Sequence, residues 1–408
     1  MDKKKILIVT STFPRDSQDR VTARFVFDLA EALTATYDVF VLAPGAAGLA
    51  RHEESGNMHI ERFNYFFPAR WQALSSGEGM IRDVKKNFFA LLQVPCYLIA
   101  QIAGIRRMVK KYDIAIVNAH WLIPSGLSLA LANSKRAFTG CVTVHAADIF
   151  ALRKARSLGR AVLHFILKRT ARVLPVSSYI KTIVDEVNGS TVANQTIIPM
   201  GANLNFTNAQ SLPGTGADKS LKLLFIGKLI EKKGVAHLLD AISILKQKGI
   251  NIRAQIVGGG PLEQRLKALA AILGINDRVE FSGWIKNEEL PKYFRGNVVL
   301  VVPSVFDRKG ETEGMPVVIA ESLSCGVPVL ASRISGIPDV IKDGYNGWLV
   351  EPADAAALAS RIQAIAMIAL DDFRAHARAS ARDLDYKTIA ARYREAIEAC
   401  SHMTNKGG

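Results

Sequence analysis

The chain has 408 residues, with 52 Lys plus Arg against 37 Asp plus Glu, a formal charge of +15; 49% of its residues are hydrophobic and 22% charged. That length suits two domains, and the composition excludes wholesale disorder, collagen-like repeats and coiled coils. Four scattered cysteines (Cys96, Cys141, Cys325, Cys400), with no CxxC pair, exclude a disulfide scaffold and fit the reduced thiols of a cytoplasmic protein.

The chain starts Met1-Asp-Lys-Lys-Lys-Ile-Leu-Ile-Val-Thr10, whose apolar run ends after four residues, so it reads as a buried first strand and not as a secretory leader. Further short β-branched runs follow at Val39–Leu42, His59–Arg62, Ile114–Asn118, Val142–Val144, Val173–Val176 and Ile197–Pro199, with amphipathic helices expected over Arg24–Thr34 and Ala151–Thr170. Phe88 to Ile105 runs 18 residues without a charge between Lys85-Lys86 and Arg106-Arg107. It is interrupted by Gln93, Pro95 and Gln101, which favours a buried or membrane-surface helix over a span. The stretch 202–220, rich in Asn, Gly, Ser and Thr with Pro213, has linker composition. Beyond it, strands are expected at Leu223–Ile226, Ile252–Val257, Val279–Phe281, Val298–Val302, Val327–Ala331 and Trp348–Val350, again alternating with helices. Strands buried on both faces and separated by helices imply parallel α/β sheets. The expected domains are 1–205, 206–385 and a C-terminal helix, 386–408, packing back on the first. Two such domains would face a central cleft.

Charge is uneven. Residues 1–205 hold 26 basic and 15 acidic side chains, a net of +11, whereas 206–408 hold 26 and 22, a net of +4. Residues 151–172 hold seven cations (Arg153, Lys154, Arg156, Arg160, Lys168, Arg169, Arg172) and no acid. A basic amphipathic helix there, with Phe88–Ile105, would dock on an anionic leaflet. A nucleic-acid binder also fits the charge, but the chain has neither an RNP-type run nor a helix-turn-helix signal.

The strongest chemical constellation is Glu313-Gly-Met-Pro-Val-Val-Ile-Ala-Glu321. Pro316 suits a first helical turn. The amides of Gly314, Met315, Val317 and Val318 at the helix start would form a phosphate site, with Glu313 and Glu321 as sugar and ribose ligands. In Phe225-Ile-Gly-Lys-Leu-Ile-Glu-Lys-Lys-Gly234 a strand ends at Gly227, and Lys228 and Lys233 follow to neutralise a diphosphate. Val257-Gly-Gly-Gly-Pro261 is a glycine-rich turn that lacks both the GxGxxG and the P-loop spacing. Thr143-Val-His-Ala-Ala-Asp148 puts His145 and Asp148 at a strand's carboxyl end. No HExxH or comparable pattern points to a metal, so none is expected as cofactor.

In combination these motifs resemble glycosyltransferase family 4, retaining nucleotide-sugar enzymes of the GT-B fold and of the capsular and exopolysaccharide type. Gly227-Lys-Leu, Lys233-Gly234, Gly259-Gly-Pro261, Phe281-Ser-Gly-Trp284, Pro303-Ser304, Glu313 to Glu321, Gly326-Val-Pro328, Gly336-Ile-Pro-Asp339 and Asp343-Gly-Tyr-Asn-Gly347 recur in that order; Ser11-Thr-Phe-Pro-Arg15, His120-Trp121 and Pro199-Met-Gly201 match the first domain. The resemblance implies two Rossmann-like doubly wound domains. It further implies transfer of a hexose-type sugar, without a metal, to a glycan or lipid-linked acceptor in bacterial cell-surface polysaccharide synthesis, on the inner face of the plasma membrane.

By the same resemblance Glu313 and the Gly314–Met315 amides, with Pro316 and Val317 behind them, hold the donor sugar and diphosphate. Glu321 binds the ribose, Lys228 and Lys233 grip the diphosphate beside Gly227 and Gly259, and the backbone at Trp284–Ile285 meets the base. His145 lies beside the donor sugar; Asp148, Arg24 and His120 lie on the acceptor side. Two departures stand out. Lys228 replaces the family's usual Arg, losing a bidentate fork. The stretch Arg20-Val-Thr-Ala-Arg24 lacks the usual Gly-Gly, leaving Thr22 or Arg24 to substitute. A sugar-phosphate-using synthase or phosphorylase of the same fold is the alternative enzyme.

Overall fold

The computed structural model describes residues 3–15, 19, 24–75, 80–202 and 220–404. Packing divides the chain into two units: residues 1–200 with 386–408, and residues 201–385. The first boundary thus falls five residues before the expected 205/206.

In chain order unit 1 comprises β1 (Lys4–Val9), α1 (Arg24–Leu33), β2 (Tyr37–Pro44), β3 (His52–Ser55), β4 (Met58–Phe63), α2 (Met80–Lys86), α3 (Phe88–Tyr112), β5 (Ile116–His120), α4 (Leu127–Ala132), β6 (Thr139–Val144), α5 (Ala146–Lys154), α6 (Arg156–Leu167), β7 (Arg172–Pro175) and α7 (Ser178–Asn188). Unit 2 comprises β8 (Lys222–Ile226), α8 (Val235–Gln247), β9 (Arg253–Val257), α9 (Glu263–Ile272), β10 (Val279–Gly283), β11 (Val298–Val302), α10 (Val317–Ser324), β12 (Val329–Ser332), α11 (Ile337–Val340), β13 (Gly347–Val350), α12 (Ala355–Ile365) and α13 (Asp371–Ala381). The last helix, α14 (Tyr386–Thr404), belongs to unit 1, where it packs on α1 and covers β6 and β7.

Unit 1 is built on a sheet in the order β3-β4-β2-β1-β5-β6-β7, and unit 2 on one in the order β10-β9-β8-β11-β12-β13. Every pairing is parallel except β3 with β4. Ile6 sits between Val39 and Ile116, and Leu224 between Gln255 and Leu300. Central strands such as Ile6–Val9 and Val298–Val302 are buried throughout, so both faces must be covered by helices. Each sheet's strand order reverses once, between β1 and β5 and between β8 and β11; loops leaving the carboxyl ends there diverge and open a crevice.

Two expectations need correction, and one strand was not expected. The segment at Ile197–Pro199 is no strand. Asn194 to Ile198 runs along β7 through three hydrogen bonds but makes an isolated bridge at Gln195, because Pro175 and Pro199 have no N–H to extend a ladder. The antiparallel β3, His-Glu-Glu-Ser, is polar and escapes a hydrophobicity reading. The basic helix expected over Ala151–Thr170 is two helices broken at Ala155–Arg156, where Arg156 adopts φ 49° and Gly159 packs against the Leu152 carbonyl. Of the expected linker, residues 203–219 lie outside the described residues; Ala202 is anchored, its N–H donating to Leu384 O at 2.9 Å.

Candidate active site

In unit 2 the loops after β8, β9 and β10 are knitted by backbone hydrogen bonds. Gly227 N donates to Val257 O (2.9 Å), Leu229 N to Gly259 O (2.9 Å) and Gly258 N to Gly283 O (2.7 Å). The approach is so close that a Cβ on Gly258, at φ 130°, would run into the Gly227 carbonyl. The glycines of Val257–Pro261 therefore hold the β8 loop in place. Gly259 itself is partly exposed.

The β8 loop continues into a 3-10 turn, Glu231–Lys233, closed by Gly234 at φ 66°; any side chain at 234 would strike the Pro303 carbonyl. Val305 N donates to Lys232 O (2.9 Å), tying this turn to the loop after β11. The result is an ion pair between neighbouring loops at the reversal point: Lys233 Nζ donates to Glu313 Oε2 at 2.7 Å, the side chains 14% and 15% exposed. The same Nζ lies 3.6 Å from where a Cβ on Gly227 would sit. A cation, a carboxylate and an open glycine backbone thus meet within one small volume. Lys228 is exposed beside them.

Glu313 is held from behind. Ser335 Oγ, at a residue with φ 57°, donates to Glu313 O and to Gly314 O (2.9 Å), and Gly336 N also donates to Gly314 O (3.0 Å). Met315 is buried in the core beneath. Pro316 is the N-cap of α10 (φ −67°, ψ 119°), one place ahead of the first turn expected for it, and its carbonyl accepts from Ile319 N. The amides of Val317 and Val318 head the helix, where intrahelical partners are missing by construction. Glu321, partly buried, follows in the second turn. Trp284 is 64% exposed, whereas Ile285 packs on the core, so this stretch offers its backbone and an indole at the surface.

Sequence reasoning missed the role of Ser335, although it directly precedes the noted Gly336-Ile-Pro-Asp339. Ser304, noted only as part of the Pro303-Ser304 motif, and Thr312, which flanks the proposed sugar site, were given no role of their own; their hydroxyls are buried with no hydrogen-bond partner among the described residues. An unmet buried hydroxyl costs on the order of 1–3 kcal/mol, and both flank the Lys233–Glu313 pair in sequence and loop position.

Unit 1 gathers a second cluster at the carboxyl ends of β5 and β6. His120 Nδ1 and His145 Nε2 are 3.2 Å apart, and Trp121 and Phe25 pack on His145 with ring centroids at 4.7 and 5.3 Å. Burial lowers His120 to about 3 and holds His145 well below the usual imidazole range, with His120 adding to the effect. Both rings are therefore neutral near pH 7 and share one N–H. His145 is also the N-cap of α5. Asp148, expected on the acceptor side, has no exposed surface: its Oδ2 accepts from Leu122 N at 2.6 Å, bracing the turn in which Trp121 has φ 69°. Burial lifts its carboxyl to about 7 against the pull of backbone N–H groups. Arg24 is paired with Asp28 at 2.8 Å, its guanidinium carbon 4.0 Å from the centre of the Phe27 ring. Thr22 and the rest of 20–23 lie outside the described residues. Among the described residues no group of three or more His, Cys, Asp and Glu could hold a metal ion.

Comparison with known proteins agrees with this layout. The model of "Glycosyltransferase Family 4" matches residues 22–206, and that of "Glycosyl transferases group 1" matches residues 212–383. The amylovoran biosynthesis glycosyltransferase of Erwinia amylovora is 35% identical over 169 residues, 41% of this chain and 40% of that one. A GDP-mannose-dependent phosphatidylinositol monomannoside mannosyltransferase of Mycolicibacterium smegmatis is 33% identical over 138 residues, 34% and 36% of the two chains. The chain spans between 37% and 40% of the length of the first curated relatives it matches. Among solved structures, sucrose-phosphate synthase from Thermosynechococcus elongatus shares the fold with a TM-score of 0.73 at 21% identity, over 97% of this chain and 100% of that one. Anabaena HepE in complex with UDP gives 0.69 at 16%, over 97% and 100%. With one family model on each of its two parallel-sheet units, the chain belongs to the GT-B glycosyltransferases of the family 4 type.

Proposed function

We propose that the chain moves a hexose-type sugar from a nucleoside diphosphate sugar to a glycan or lipid-linked acceptor in cell-surface polysaccharide synthesis, with retention and without a metal. The observation that carries this reading is the Lys233–Glu313 pair at 2.7 Å beside the open backbone of Gly227 and the start of α10. Breaking the bond between the anomeric carbon and the diphosphate builds an oxocarbenium-like cation and a departing anion. Lys233, Lys228 and the Val317 and Val318 amides would take that anion's charge, a fixed electrostatic role commonly among the largest catalytic terms. As Lys233 turns toward phosphate oxygens, the Glu313 carboxylate is released to accept from sugar hydroxyls. Glu321, one turn further along α10, would bind the ribose.

With retention, a leaving phosphate oxygen takes the acceptor proton on the same face while the new glycosidic bond forms. The cations do the neutralising that a divalent ion would otherwise do, so turnover is expected to survive a chelator. The UDP held by the Anabaena relative supports a nucleotide donor, and the Erwinia and Mycolicibacterium relatives' names support a surface-polysaccharide or lipid acceptor. Such donors are supplied in the cytoplasm, where we place the reaction.

The test incubates the protein with UDP-, GDP- and ADP-sugars and follows release of nucleoside diphosphate, with the anomeric configuration of the product read by NMR. Release of a diphosphate with the donor's configuration kept is expected. No turnover of any nucleotide sugar, with a sugar 1-phosphate used in its place and inorganic phosphate released from it, would favour the sugar-phosphate-using reading instead.

A further inference from the structure

Among the described residues, unit 1 carries an apolar surface that the fold leaves exposed. Helix α3 has two stripes. Ala90, Gln93, Tyr97, Gln101, Gly104, Ile105 and Met108 are buried against the sheet, so α3 is a core element of the unit. The opposite stripe holds Phe88 (73% exposed), Leu92 (60%), Pro95 and Ile99 (68%), spaced at helical intervals of three and four. Beside it the segment after β4 presents Phe67, 90% exposed, and Trp71, 53% exposed. This segment is fastened to the helix. Gln93 Nε2 donates to Trp71 O (2.8 Å), Ala73 N donates to Gln93 Oε1 (3.0 Å), and Phe66 meets Phe89 edge-on with centroids 5.5 Å apart. The patch is therefore preformed, and large apolar side chains exposed side by side mark an interaction site.

Charge identifies the occupant. Between Asn64 and Tyr112 the sequence holds eight Lys and Arg against two acids, Glu78 and Asp83. Asp83 is buried, and Glu78 lies outside the described residues. Arg70 stands exposed between Phe67 and Trp71, and Lys85 stands just ahead of Phe88. Topology adds a second basic group. In a parallel sheet a helix that leads into a strand runs against it, so α3 begins at the carboxyl end of the strands. Helix α5 begins at that same end, directly after β6, and α4 packs on both α3 and α6. The groove lined by Arg153, Arg156, Arg160 and His164 is thus on the α3 side of the sheet and toward the end where the aromatic patch lies. Among the described residues that line it, Glu186 is the acid, and it pairs with Arg153 at 3.1 Å.

We propose that unit 1 docks on an anionic lipid bilayer, with Phe67, Trp71, Phe88, Leu92 and Ile99 in the interfacial layer and Arg70 and Lys85 against the headgroup phosphates. Aromatic and aliphatic side chains ringed by cations are the chemistry of an interfacial helix on a negatively charged surface. A protein partner or a second copy would more commonly meet a patch rimmed by both signs of charge. The orientation turns the end of unit 1 that carries His120 and His145 toward the membrane plane, where a lipid-borne acceptor would be met. The docking itself stands on unit 1 and does not depend on the donor chemistry proposed for unit 2.

The experiment is flotation of the full chain with vesicles of phosphatidylcholine alone and of phosphatidylcholine with phosphatidylglycerol at a ratio of about two to one. Binding is expected to the mixed vesicles only and to weaken as salt rises. Phe67→Ser with Phe88→Ser should weaken it by about tenfold or more, without changing the thermal melt, because both side chains are already in solvent. Arg70→Glu with Lys85→Glu should abolish the preference for anionic lipid. Brominated lipid should quench the wild type more than Trp71→Phe. Equal recovery with both vesicle types, undiminished flotation of the serine variant, or a dimer that this variant dissociates would overturn the proposal. Nucleotide binding measured without vesicles reports separately on unit 2.

Discussion

The two units share one architecture and place their candidate functional residues beyond the carboxyl ends of their strands, yet they treat charge in opposite ways. In unit 2 a lysine and a glutamate meet at 2.7 Å on glycine-rich loops, and both keep part of their surface in solvent. In unit 1 two buried histidines stand 3.2 Å apart and are held neutral, and the buried Asp148 accepts from Leu122 N with its carboxyl raised to about 7. A half-open ion pair can exchange partners when an anionic ligand arrives. A buried pair of neutral rings fixes the shape of a surface. The first arrangement suits chemistry, the second suits positioning.

The sharpest way to break this contrast is in unit 2. Glu313→Ala and Lys233→Ala should each cut turnover, the first by about a hundredfold and the second by about tenfold or more, while the melting temperature moves little, as measured by product release and calorimetry. If either variant keeps wild-type rates, the ion pair is structural. Next comes Gly258→Ala, whose Cβ would meet the Gly227 carbonyl. It should destabilise unit 2 by about 2 kcal/mol or more and weaken nucleotide binding with it, read from denaturant titration.

In unit 1 the expected effect is on stability and its pH dependence. The Asp148 carboxyl is raised to about 7 from 3.8, so between these values the folded state holds a proton that the unfolded state has released. Stability from this group is therefore present at low pH and lost as pH rises through about 7. His120, lowered to about 3, acts in the opposite sense and costs stability as pH falls below about 6.5. Asp148→Asn keeps an acceptor for Leu122 N–H and removes the alkaline loss. It should raise the melting temperature relative to wild type at pH 8, and by progressively less as pH falls toward about 4. The smallest effect is expected of Ser335→Ala, which loosens Glu313 without touching a ligand: about 1 kcal/mol in catalysis, seen in turnover more than in affinity.

How much of this was legible in the sequence differs between the units for a physical reason. The unit 2 site is made of short contiguous runs, Gly227 to Gly234 and Glu313 to Glu321, in which glycines and the N-cap proline announce the loop geometry. The alternation of strands and helices gave its sheet almost strand for strand. What stayed hidden were the cross-loop supports, such as Ser335 to Glu313 and Gly258 to Gly227, since nothing in a linear spacing says which loops touch. In unit 1 the His120–His145 contact joins residues 25 apart, so only the fold brings it about. The break at Arg156 left no mark because neither flank holds Pro. The exposed apolar stripe of α3 is indistinguishable in sequence from the face of a core helix, because Phe67 and Trp71 come to lie beside it only in the fold.

The account rests on diphosphate capture by unit 2, and calorimetric titration of UDP, GDP and ADP into wild type and Lys233→Ala tests it most directly. At least one of the three should bind the wild type and bind the variant weaker by about tenfold or more, with the matching phosphate-free nucleoside unaffected by the substitution. Equal affinity of all three for both proteins, or no binding at all, would contradict it.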